Sequence, residues 1–191
     1  MDHKKPTDNL NPVASLDKIN LAKDNIARLS DVGQGNDNVQ QALMSDKNGR
    51  SLTMRTEGGS RSDFQRALQN DQTRFPTQPA RIRMENESGQ EVGLANVTLE
   101  VEKQFNPETE TYDQFGDCRM RLNDVLVPEH ERGNGIGGQM LDRAEELARE
   151  GQAREIYGTL EREESRQFFA DRGYQFRGPN NNELYKTYYW Q

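Results

Sequence analysis

Four glycines fall within six positions, at Gly133, Gly135, Gly137 and Gly138, between a strand-like segment ending near Val127 and a strongly amphipathic segment beginning at Ile136. No other stretch limits the fold as much. A strand, a glycine-rich loop and a helix in that order put several backbone N–H groups at the positive end of a helix dipole, which suits an anion. Side chains at the glycine positions would hinder the approach of a phosphate, and Arg132 adds a planar, fixed positive charge at the loop entrance. The implied guest is a pyrophosphate.

Which pyrophosphate is decided by the surroundings. Gly133-x-Gly135-x-x-Gly138 also satisfies the dinucleotide-binding fingerprint, but that fingerprint wants the strand to run straight into the first glycine, and Pro128 to Arg132 intervene. It also wants several further parallel strands, for which only about fifty residues remain. A Walker loop is excluded because no Gly-Lys-Ser/Thr follows. A tight turn alone leaves Arg132 and the run of glycines before a helix without a reason.

Periodicity supplies the elements around the loop. Ile82 and Met84, then Val92, Leu94, Val97, Leu99 and Val101, alternate as an antiparallel hairpin turning at Asn86 to Gly89. Phe105 to Gly116 reads as a charged, Pro-containing connection, and Cys118 to Val127 as a third strand. Met120 and Leu122 share one parity while Val125 and Val127 have the other, so either a bulge slips the register near Asn123 and Asp124 or the strand end is buried on both faces. Ile136, Met140, Leu141, Ala144, Leu147 and Ala148 mark one helix face, with Gly151 as the stop. Ile156 to Leu160 is a fourth strand. Glu163 to Arg172 is a second helix stopped by Gly173, and Tyr174 to Arg177 with Leu184 to Trp190 a closing hairpin. The fold class is α/β (α+β), a mixed, mainly antiparallel sheet flanked by helices.

Before this domain, assigned to 49–191, residues 1–48 read as a polar, partly helical or disordered extension. Leu16, Ile19, Ile26 and Leu29 recur at helical steps after Ser15, and Asn38 to Met44 adds another turn or two. Such helices want a partner: the second half of the chain, another copy, or a different protein. Leu52 and Met54 suggest a short strand, and Ser62 caps a helix through Phe64, Leu68 and Asn70.

Charge narrows the partners. Residues 1–80 carry eleven Lys and Arg against ten Asp and Glu, and residues 81–191 carry fourteen against twenty-two, so the net −7 sits in the second half. A domain this acidic repels polyphosphate backbones, which disfavours nucleic acid and favours cationic, amine-bearing substrates. One cysteine, Cys118, offers no internal disulfide, and no apolar run approaches a membrane span or a secretory signal. A soluble, cytoplasmic protein is expected. Two histidines and that cysteine, far apart, offer no metal-ligand spacing.

The loop and its flanks resemble the GNAT superfamily of acyl-CoA-dependent N-acyltransferases, whose signature is Arg/Gln-x-x-Gly-x-Gly/Ala after a bulged strand. Arg132, Gly135 and Gly137 occupy those places. Val125 to Glu129 looks like the family's strand end, with one extra residue before Arg132. Ser165 to Tyr174 resembles its second motif, an aromatic-bearing helix ending in Gly-aromatic. The likeness covers about residues 80–191 well and 50–80 loosely.

The resemblance implies acetyl-CoA as acyl donor and a primary amine, on a small molecule or a protein, as acceptor. It implies that the backbone at Leu126 and Val127 orients the pantetheine, that Arg132, Gly133, Asn134, Gly135, Ile136, Gly137 and Gly138 hold the diphosphate, and that Phe169 lies beside the cofactor. Phe169 stands where the family often places a proton-donating tyrosine. Tyr157 or Tyr185 is then the substitute acid, or turnover is slow, or the fold is a catalytically silent acyl-CoA-binding module that recruits a partner through its N-terminal segment. Asp124 is the preferred base, with Asp117, Glu129 and Glu161 behind it, and His130 reads as an exposed structural histidine. A toxin acylating aminoacyl-tRNA is a further reading, disfavoured by the acidic domain. A homodimer through the closing strands is compatible with the pattern.

Overall fold

The computed structural model describes residues 39–59, 69 and 73–189. Eight strands form one sheet: β1 (Val39–Ser45), β2 (Ser51–Gly58), β3 (Thr77–Asn86), β4 (Glu91–Asn106), β5 (Thr111–Leu126), β6 (Glu155–Thr159), β7 (Gln175–Arg177) and β8 (Glu183–Thr187). Their order across the sheet is β1-β2-β3-β4-β5-β6-β8-β7, and β5 with β6 is the parallel pair in an otherwise antiparallel set. The mixed, mainly antiparallel sheet with helices against it is the expected fold class.

Alternation builds the core. Leu52 and Met54, Ala80, Ile82 and Met84, Val97, Leu99 and Val101, and Met120 and Leu122 are buried on successive strands, each two residues from the next, as a strand with one covered face requires. Helix α1 (Ile136–Glu150) covers that face with Ile136, Met140, Leu141, Ala144, Leu147 and Ala148. Its first turn approaches β4 closely: a Cβ at Gly93 would lie 2.7 Å from Ile136 Cγ2 and 2.9 Å from Met140 Cε. At the other end, Gly151 donates its N–H to Leu147 O at 2.9 Å, and Ala153 donates to Ala148 O at 2.8 Å, closing the last turn. The second helix is shorter than its pattern suggests, a 3-10 turn over Glu163–Ser165 followed by α2 (Arg166–Ala170). Gly173 at φ 80 ends the segment.

Three departures from the sequence reading concern the sheet. Val39–Ser45 is a strand paired with β2 from Val39↔Glu57 to Ser45↔Ser51, so the helical reading of Asn38 to Met44 is overturned. Residues 39–48, placed with the polar extension by composition, therefore contribute to the sheet and its first turn. The charged connection after Phe105 is also much shorter than expected, because β4 runs to Asn106 and β5 restarts at Thr111. Phe105 and Tyr112 face each other across that arm with ring centroids 5.4 Å apart, a cross-strand contact that charge counting does not see. The helix expected over Leu16 to Leu29 lies outside the described residues, as does the one from Ser62 to Asn70 apart from Gln69, which is helical. No helix among the described residues is long and apolar enough to cross a membrane.

Candidate active site

The parity break in β5 is a bulge. Asn96 faces Asp124 and Val97 faces Leu122, leaving Asn123 as the extra residue. On its other side β5 pairs with β6 only from Arg119↔Glu155 to Leu122↔Gly158. Beyond Leu122 the two parallel strands part, and alternate backbone groups of β5 on that edge have no strand partner. The gap opens into a cavity of about 840 Å³, walled by Leu122 to Pro128 on one side and Thr159 to Arg162 on the other, with Phe168 and Phe169 between them.

The glycine loop closes one end. Pro128 to Arg132 make a 3-10 turn in which Glu131 donates to Pro128 O at 2.9 Å and Arg132 to Glu129 O at 3.2 Å; this turn accommodates the extra residue. Gly133 at φ 82 and Gly135 at φ 86 occupy left-handed backbone, where a side chain is strained. Helix α1 then starts with Gly135 as N-cap, no side-chain capping bond and no acidic residue in its first turn. The first N–H groups, at Ile136, Gly137 and Gly138, therefore lack the side-chain acceptor a helix start normally carries, and all three residues line the cavity. Arg132 lines it too, its Nε donating to Val127 O at 3.2 Å. Gly138 has an internal reason besides clearance: a Cβ there would meet the Arg172 guanidinium, which pairs with Asp142 and lies 5.5 Å from the Phe168 ring.

A brace holds the loop from behind. Glu131, buried, takes both ends of the Arg50 guanidinium, and Asp46, also buried, accepts the N–H groups of Asn48 at 2.8 Å and Arg50 at 2.9 Å. Lys47 donates its N–H to Asn134 O at 3.0 Å, Asn48 Nδ2 donates to Asn134 Oδ1 at 3.1 Å, and Gln139 Nε2 donates to Ser45 O at 2.7 Å. The side-chain bond from Arg50 holds the Glu131 carboxyl below its ordinary value, and the Arg50 backbone N–H does the same most strongly for Asp46. The sequence reading missed this turn; its signal was Asn48-Gly49 between alternating apolar residues.

Of the expected cofactor residues, Leu126, Val127, Arg132, Gly133, Gly135, Ile136, Gly137, Gly138 and Phe169 line the cavity, whereas Asn134 is turned back into the brace. Asp124 is half-buried in the wall, accepting from Asn96 Nδ2 at 3.1 Å, and Glu161 also lines the cavity. Asp117 is instead paired with Arg154 at 2.5 Å on the surface. Glu129 and His130 sit on the exposed 3-10 turn outside the cavity. Neither tyrosine offered as a substitute acid reaches the cavity: Tyr157 donates to Glu100 Oε2 at 2.5 Å and Tyr185 to Gln175 Oε1 at 2.7 Å. Phe169 is buried in the wall, edge-on to Phe168 and Tyr174. Cys118 contributes no nucleophile, since burial pushes its thiol up to about 12. Among the described residues no metal-binding cluster occurs. Glu91, Glu164 and Asp171, which the sequence did not single out, add carboxylates to the lining.

A bulged strand thus parts from its parallel neighbour and leads into a glycine loop at a helix start that has no side-chain cap, with the cavity between them. The acetyltransferase (GNAT) family matches residues 61–174, and the chain belongs to that family. Similar solved structures include an acetyltransferase from Bacillus cereus, at 21% identity over 59% of this chain and 75% of that one, TM-score 0.45. A GNAT-family acetyltransferase from Listeria monocytogenes is similar at 20% identity over 56% and 64%, TM-score 0.40. AtaT complexed with acetyl-methionyl-tRNAfMet is similar at 12% identity over 58% and 71%, TM-score 0.42. No curated protein shows a significant match.

Proposed function

We propose that this protein transfers the acetyl group of acetyl-CoA to a primary amine carried by a small molecule or a protein. The observation that carries the reading is the start of α1, which has no side-chain capping bond and no acid in its first turn and lines the same cavity as Arg132. A helix start left so bare favours an anion. Bound acetyl-CoA supplies an activated thioester, whose C–S bond breaks as the C–N bond forms. The backbone at Leu126 and Val127 orients the pantetheine arm and polarises the acyl carbonyl, while Arg132, Gly133 and Gly135 to Gly138 hold the diphosphate. Asn134 shapes the loop from behind. Positioning of donor and amine in one cleft supplies much of the rate.

Asp124 accepts the proton that the attacking amine must lose, and the carboxylates of Glu91, Glu161, Glu164 and Asp171 attract a cationic acceptor into the same cavity. Phe169 packs beside the acyl donor and donates nothing, so sulfur departs as thiolate; a missing general acid costs about 10² to 10⁴ in rate. That substitution, with Tyr157 and Tyr185 turned elsewhere, is what favours the second reading, a catalytically silent acyl-CoA-binding module. Thiol release from acetyl-CoA, measured with polyamines, aminoglycosides and lysine peptides, separates the two. Amine-dependent release supports transfer, and tight acetyl-CoA binding with no release on any amine class supports the silent module.

A further inference from the structure

We infer that the β1–β2 turn supplies a second cation to the phosphate site, Lys47, which grips the diphosphate of the acyl donor together with Arg132. The inference rests on the acetyl-CoA reading above and extends it to a segment that precedes the family-matched residues 61–174.

The position of Lys47 is fixed from both sides. Asp46 holds the turn through the N–H groups of Asn48 and Arg50, Gly49 completes it at φ 80, and Arg50 ties it to the buried Glu131. The Lys47 N–H reaches Asn134 O at 3.0 Å, so its backbone is bonded to the glycine loop itself. Its stem then crosses Gly135, with Cγ, Cε and Cδ at 3.3, 3.6 and 3.8 Å from where a Cβ would sit. Glycine at 135 thus serves two ends, the left-handed backbone and the passage of this side chain.

Beyond the stem, Lys47 lines the cavity and has no carboxylate or hydrogen-bond partner for its ammonium among the described residues. Arg132 likewise has no carboxylate partner among them. Two cations beside the positive end of a helix, with no acid in its first turn, repel that end. A bound diphosphate would attract both cations and the helix end and so offset that repulsion. Nearby Arg50 pairs with Glu131, and Arg172, which also lines the cavity, pairs with Asp142, so neither is as open to an added anion as Lys47 and Arg132.

The test is calorimetric titration of coenzyme A and of 3′-dephospho-coenzyme A into wild type, Lys47→Met and Lys47→Arg at low and high salt. Lys47→Met keeps the N–H bond to Asn134 and is expected to leave Tm unchanged. It is expected to bind both ligands about fivefold more weakly at low salt, the size of one exposed charge contact. The gap closes at high salt, and Lys47→Arg restores binding; a purely structural role would show neither behaviour. Equal affinity of wild type and Lys47→Met overturns the inference while leaving the acetyl-CoA reading intact. A loss confined to the 3′-phosphorylated ligand overturns the assignment to the diphosphate. Failure of the wild type to bind either ligand overturns the underlying reading instead.

Discussion

Replacing Gly93 with alanine tests how tightly the start of α1 is seated on the sheet. The new Cβ would stand 2.7 Å from Ile136 Cγ2, 2.9 Å from Met140 Cε and 3.1 Å from its sulfur, where ordinary contact begins at 3.4 Å. Met140 is flexible and can bend its terminal methyl away. Ile136 is β-branched, 1% exposed and the first residue of the helix, so relief requires the helix start to move by about 0.7 Å rather than a rotamer change. Overpacking of this kind costs about 1–3 kcal/mol, and alanine recovers about 0.4–1 kcal/mol through the unfolded chain. The net loss of about 1–2 kcal/mol lowers Tm by about 2–8 °C for a chain of this size. Gly137→Ala is the control, because its Cβ would meet Val127 and Phe168 at 3.5 and 3.6 Å, ordinary contact, inside a helix. Thermal denaturation should therefore rank Gly137→Ala at or above wild type and Gly93→Ala below it. A Gly93→Ala protein melting at or above wild type, or a Gly137→Ala protein falling as far, refutes the packing argument.

Further predictions follow from the cleft and its brace. Asp124→Asn should lower kcat for amine acetylation by about 10² or more while leaving the Kd for acetyl-CoA unchanged; unchanged turnover would move the base elsewhere. Phe169→Tyr should raise kcat if a proton donor is all that is missing, and steady-state rates showing no gain would argue against that account. The brace should be sensitive to acid: the carboxyls of Glu131 and Asp46 lie below their ordinary values of 4.5 and 3.8. Their stabilisation is complete above those values and disappears as pH falls through the lower folded-state ones. Tm of wild type relative to Arg50→Met, followed from pH 7 downward, should hold its advantage to about pH 4.5 and lose it below; a constant gap down to about pH 2 contradicts the sign.

The parts of the fold legible in the sequence are those where one period dominates. Ile136 to Ala148 repeats at helical spacing over the whole of α1, and the change of parity between Leu122 and Val125 leaves two options, a bulge near Asn123 and Asp124 or a strand end buried on both faces, between which the pairing with β4 decides for a bulge. The edge strand Val39–Ser45 escaped because its inner positions, Gln40, Ala42 and Met44, are only half-buried and carry little apolar signal. Asn48-Gly49 carries a turn signal, yet such a signal predicts a hairpin only when both flanks are recognised as strands. The arm of β4 and β5 was taken for a loop because it is charged, and its Phe105–Tyr112 contact links residues whose pairing depends on register.

At the site, the glycines and Arg132 were legible because backbone conformation and fixed charge are local properties. The sequence reading gives no role to Glu131 or Lys47. Their roles come from Arg50 on one side and Gly135 on the other, contacts between segments more than eighty residues apart. The failure of Tyr157 and Tyr185 to reach the cleft has the same origin, since each hydroxyl is taken by a partner distant in sequence or across a turn, Tyr157 by Glu100 on β4 and Tyr185 by Gln175 on β7.

Calorimetric titration of acetyl-CoA into wild type beside Arg132→Ala and Gly135→Asp decides whether the loop after β5 binds the diphosphate of acetyl-CoA. Wild type should bind, the loss of the guanidinium should weaken binding, and a carboxylate placed at the helix start should abolish it. A folded wild-type protein that takes up no acetyl-CoA, or a Gly135→Asp variant that binds as well as wild type, would contradict diphosphate binding by this loop.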